Sequence, residues 1–89
     1  MRSIIASDHF SRTVLDLGGY RAIDEALEPI IEGLRRNPYG FERFENDHIS
    51  FRYARTKSTG WVPALVVIFS IDENKNVVLE HVEKDTYAP

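Results

Sequence analysis

The feature that most constrains this chain is a single change of hydrophobic period at Asn37-Pro38-Tyr39-Gly40. Before it, apolar residues recur three and four positions apart, as on helices with one buried face. After it, Ile49, Phe51 and Tyr53 alternate with Ser50, Arg52 and Ala54, the two-residue period of a half-buried strand. Pro38 removes an amide donor and Gly40 tolerates turn backbone, so the helical part stops there. Helices first and consecutive strands afterwards point to the α+β class: an antiparallel sheet with two N-terminal helices packed on one face.

The finer reading gives the order β-α-α-β-β-β. Arg2 to Ala6 is a short first strand, and Ser7 or Asp8 can cap the helix that follows, carrying Phe10, Val14 and Leu17 at helical spacing. Gly18-Gly19 closes it with a left-handed turn. Tyr20 to Asn37 sets Ile23, Leu27, Ile30, Ile31 and Leu34 on one face and Glu25, Glu28, Glu32, Arg35 and Arg36 on the other. Glu32 and Arg36 form a favourable i,i+4 pair, and the cations suit the negative end of the helix dipole. Pro29 predicts a kink or two successive short helices. The strands run from His48 to Thr56, Val62 to Ile71 and Val77 to Glu83, joined by a turn at Ser58-Thr59-Gly60 and a polar loop from Asp72 to Asn76. Because Val62 to Ile71 is apolar at nearly every position, it reads as the central strand, covered on both sides, with Pro63 tolerated near its start.

Eighty-nine residues make one domain, residues 1–89, and a 43% apolar composition argues against disorder. Without cysteine there is no disulfide, thiolate metal site or thiol nucleophile. The first residues lack the apolar run of a signal peptide, and Trp61 to Phe69 is too short to cross a bilayer. The expectation is a cytoplasmic bacterial protein that does not engage a membrane. A net charge of −3 gives no global attraction to nucleic acid, so any such binding must use a local basic patch.

Several pieces in sequence resemble the RelE/ParE superfamily of small bacterial toxins from type II toxin–antitoxin pairs, which act in stress responses. They are the short first strand, the helix ending in Leu34-Arg35-Arg36-Asn37-Pro38, the basic–turn–glycine–aromatic passage from Arg55 to Trp61, the run "VVIFSIDENKN" and the last strand "VVLEHVEK". The resemblance spans nearly the whole chain. It implies a RelE-like fold, a cognate antitoxin as partner, and one of two activities: ribosome-dependent endonucleolytic cleavage of messenger RNA, or inhibition of DNA gyrase in the ParE-like branch. A homodimer is a further expected assembly, and no cofactor is implied. The alternative is a non-enzymatic protein-interaction domain on the same fold.

Carried over residue by residue, the mRNA interferase reading makes Arg52, Arg55, Lys57 and Lys84 the RNA phosphate contacts. His81, Tyr87 and Arg55 become the catalytic residues, with His81 or Tyr87 moving the proton as the ribose 2′-hydroxyl attacks. Two family cations are missing: Val62-Pro63 follows Gly60-Trp61 where an arginine is usual, and Asp85 stands beside Lys84. The plainer reading of Arg52, Arg55 and Lys57 is charge that keeps a strand edge soluble. Strict alternation turns Arg52 to the face opposite Arg55 and Lys57. His9, His48 and His81 show no metal-ligand spacing, so no metal site is expected. Trp61 is a core or rim anchor, and Asp72 and Glu73 are turn residues rather than catalysts.

Overall fold

The first helix begins where its cap allows. Ser7 Oγ accepts from the Phe10 amide at 3.0 Å, which satisfies one donor of the first turn. A computed structural model of the chain describes residues 3–45, 47–48, 50–57 and 63–86, without the side chains of Tyr20 and Ala22. Among these residues the order is β1 (Ile4–Ala6), α1 (Asp8–Asp16), α2 (Tyr20–Arg36), a 3-10 turn (Pro38–Gly40), β2 (Glu42–Glu45), β3 (Ser50–Arg55), β4 (Leu65–Ile71) and β5 (Val77–Lys84). Arg2, Ile49, Ser58-Thr59-Gly60, Trp61, Val62 and Tyr87 lie outside them.

Gly18 and Gly19 take φ of 105° and 92°, as the turn between helices requires. Pro29 does not divide α2, which runs unbroken from Tyr20 to Arg36. The reason is position: Pro29 and Glu25, whose carbonyl loses its helical partner, are both exposed, so water can serve that carbonyl. Glu32 pairs with Arg35 at 3.7 Å, not with Arg36, and both side chains are exposed. Such a pair contributes little.

The sheet has five strands in the order β1-β5-β4-β3-β2. It is mixed, not purely antiparallel, because β1 pairs with β5 in parallel, Ile4 opposite Val77 and Ala6 opposite Leu79. Hairpin-length links oblige β2 to β5 to alternate in direction, whereas the long helical excursion after β1 leaves its direction free. The fifth strand, β2, is a further departure from the sequence reading. All four of its residues are exposed, so no apolar alternation marks it. Its pairing with β3 makes it a strand, helped by Phe44 stacking on Phe51 with ring centroids 5.0 Å apart.

Both helices pack on one face of the sheet. Phe10 and Val14 of α1 and Ile23, Leu27, Ile30 and Leu34 of α2 meet Ala54, Leu65, Val67, Phe69, Val77, Leu79 and Val82. Strand β4 is central in order, but it is not covered on both sides. Leu65, Val67 and Phe69 are fully buried while Val66 and Ile68 are half-exposed, since both helices lie on the same side.

Strand β5 carries a bulge. Ile68 faces His81 and Phe69 faces Leu79, which leaves Glu80 as the extra residue. The bulge lets Leu79 and Val82, three apart, both point into the core. It also turns Glu80 to the other side, where its carboxylate accepts from Ser70 Oγ at 2.9 Å. Beyond the end of β1, α1 borders β5. The Ser7 amide donates to the Leu79 carbonyl at 3.0 Å, and Thr13 Oγ1 accepts from the Val82 amide at 3.2 Å while donating to the Phe10 carbonyl.

Candidate binding face of the sheet

The face turned away from the helices is built from the outward positions of four strands. Phe44 of β2, Phe51 and Tyr53 of β3, Val66 and Ile68 of β4, and Glu83 of β5 line a shallow depression of about 470 Å³. Phe51 meets Tyr53 edge to face at 6.2 Å, completing an aromatic row with Phe44, which is 43% exposed. The Glu42 carboxylate, cross-strand from Tyr53, accepts from its hydroxyl and holds the phenol above its ordinary value. Burial and the carboxylate charge push the same way, and Arg55 pulls against them.

At the far end of the depression stand Arg55 and Lys84 with Glu83 and Asp85, two charges of each sign. Arg55 Nε lies 3.5 Å from Asp85 Oδ2, and the Asp85 side chain is only 2% exposed. Arg55 therefore compensates a buried carboxylate, a role that constrains its use on an external phosphate. Its guanidinium also rests 5.8 Å from the centre of the Tyr53 ring.

His81 is on this face of β5, opposite Ile68. The bulge brings it beside α1: His9 Nε2 and His81 Nδ1 are 3.0 Å apart and the rings stack at 5.2 Å. His81 Nε2 lies 3.6 Å from Glu83 Oε2. One of His9 Nε2 and His81 Nδ1 donates to the other, and the remaining nitrogen of His81 is turned to the Glu83 carboxylate. Both nitrogens of His81 then face protein groups, which suits a tie between α1 and β5.

The remaining sequence candidates fall elsewhere. Arg52 is on the helix-side face, paired with Phe69 across β4, and its guanidinium sits 5.3 Å from the Tyr39 ring centre. Lys57 is exposed just past the end of β3. Arg52 and Arg55 thus point to opposite faces, as strict alternation requires, and the four phosphate candidates form no single patch. Tyr87 lies outside the described residues. Among the described residues no group of three or more histidine or acidic side chains is placed to hold a metal ion.

Three features escaped the sequence reading. The His9–His81 pair joins residues 72 apart, with no local signal. The Arg55–Asp85 contact joins the end of β3 to the chain just past β5, again with no local signal. The aromatic row could have been sought in Phe44, which lies seven residues before Phe51 with a short polar interval between them. No protein-family model, curated protein or solved structure matches the chain. No helix among the described residues is long and apolar enough to cross a membrane.

Proposed function

We propose that this chain is a non-enzymatic protein-interaction domain that works through the open face of its sheet. The observation that carries this reading is the character of that face: an aromatic and aliphatic floor whose rim charges balance, Arg55 and Lys84 against Glu83 and Asp85. An RNA-binding groove needs uncompensated cations along a backbone path. A protein interface needs a desolvated apolar centre with aromatic anchors and a paired polar rim, and this face supplies both. On the resemblance to RelE/ParE toxins, the partner is the product of an adjacent reading frame in the antitoxin role, or a target protein such as gyrase. The chain is then a toxin-like domain that acts by binding.

One observation favours the mRNA interferase reading as the second. His81, Arg55 and Lys84 share one end of the open face, with His81 and Arg55 flanking Ile68 and Val66 of β4. The two readings separate in one experiment. Purified protein is added to translating ribosomes charged with messenger RNA, and in parallel is titrated with the product of the adjacent reading frame. The binding reading expects intact message and a complex that Phe51→Ser and Ile68→Glu disrupt while Lys57→Ala does not. Message cleavage that His81→Ala abolishes overturns it in favour of the endonuclease.

A further inference from the structure

We propose that the cleft where β3 and β4 separate is an oxyanion site that takes the phosphate group of a small ligand on Arg43 and Arg52. This site lies at the other end of β3 from Arg55 and does not depend on the function assigned to the open face. The β3–β4 register runs from Arg55 opposite Val66 to Arg52 opposite Phe69 and stops there. Ser50 and Phe51 continue in β3 against β2, while Ser70 and Ile71 continue in β4 against β5. The Thr56 amide donates to the Leu65 carbonyl at 2.9 Å, which sets the phase of the ladder. Counting in twos, Arg52 with Phe69 is the last pair to exchange hydrogen bonds and Ser50 with Ile71 would be the next. The Ile71 amide is thereby aimed into the gap.

The gap is a cleft of about 380 Å³, within the range of small-ligand pockets, and Arg43 and Arg52 both line it. The two arginines are directly opposite each other on neighbouring strands. Like charges so placed destabilise a sheet, and an anion between them reverses the sign of that effect. Each guanidinium is already held. Arg52 lies over the Tyr39 ring, and Arg43 Nε donates to Ser50 Oγ at 3.2 Å. Among the described residues Arg52 has no carboxylate within ion-pair distance.

Two acidic groups are near. Asp72 in the cleft wall turns Oδ1 to its own loop, accepting from the Asn74 and Asn76 amides at 2.9 Å each. Glu45 lies 3.3 Å from Arg43 Nη2, with both side chains about half exposed, so it is a weak internal competitor for an incoming anion. Two planar guanidinium forks and one backbone amide match the several acceptor oxygens of a phosphate.

The test follows melting temperature and calorimetric binding with sodium phosphate, adenosine monophosphate, adenosine, and sodium chloride at matched ionic strength. Phosphate, alone or as the nucleotide, raises the melting temperature, while adenosine and chloride do not. Response to both phosphate probes assigns the phosphoryl group itself as the ligand feature, and response to the nucleotide alone assigns a nucleotide site. Arg43→Gln and Arg52→Gln each weaken binding at least about ten-fold, and Glu45→Gln tightens it several-fold. The Ile71 amide resonance shifts on phosphate addition to the unmodified protein, a readout that survives if an arginine variant fails to fold. The proposal is overturned if neither phosphate probe binds, if binding is indifferent to Arg43 and Arg52, or if the Ile71 amide does not move.

Discussion

The two faces of this sheet are made from similar residues and do different things. On β4, Leu65, Val67 and Phe69 point to the helices and are fully buried, while Val66 and Ile68, equally apolar, point away and stay half-exposed. The difference teaches that hydrophobicity of a strand position reports its capacity to be covered, and the placement of the helices decides which positions are. An apolar face without a helical layer is surface available to a partner.

The sharpest way to break this contrast is to truncate matched residues on the two faces. Leu65→Ala should cost about 2–5 kcal/mol in urea denaturation, the usual range for a buried leucine. Ile68→Ala should cost under about 1 kcal/mol, as for a substitution away from the core. Comparable losses would mean that the open face is covered in solution, and a dependence on protein concentration would identify a second copy as the cover.

A smaller effect sharpens the polar end of the open face. Arg55→Met removes the cation beside the buried Asp85 carboxylate and should cost about 1.5–3 kcal/mol, the range for a hydrogen bond to a charged group. Lys57→Met, at an exposed site, should stay within about 0.5 kcal/mol. Equal costs would show that Arg55 is free for an external ligand, contrary to its role as a counter-charge.

The smallest effect concerns Tyr53. Its phenol titrates above the ordinary value of 10.0, chiefly through the Glu42 hydrogen bond. The folded protein then holds this proton more tightly than the unfolded chain. The associated stability is fully present below pH 10.0 and is lost as pH rises through the folded-state value. Phenolate absorbance should show a late-titrating tyrosine that moves toward the ordinary value in Glu42→Gln; an unchanged titration would remove Glu42 as the cause.

Much of the fold was readable because burial follows period. Phe10 and Val14, then Ile23, Leu27, Ile30 and Leu34, face the core as their spacing demands. The alternation of β3 marks a strand but not its inner face, since Ala54 is buried while Phe51 and Tyr53 turn away from the helices, and the bulge interrupts the period of β5. What was not readable depends on distant partners. Glu42–Glu45 is a strand only because β3 lies beside it, and the direction of β1 is set by where a three-strand return places β5. The same division holds for the candidate site. The opposed directions of Arg52 and Arg55 follow from local alternation, whereas the His9 contact that occupies His81 and the burial of Asp85 arise from tertiary packing.

The way α1 borders β5 has a consequence for assembly. Ser7 and Thr13 occupy backbone groups of Leu79 and Val82 that an incoming strand would need, so β5 beyond β1 is closed to growth and only the three residues of β1 offer an edge on that side. The opposite margin, β2, is fully exposed. An edge that pairs with its own copy makes a self-complementary contact, which closes on itself instead of repeating. Two copies joined β2 to β2 would each use up the β2 edge of the other, so pairing through that contact ends in a closed dimer and does not itself run on into a fibre.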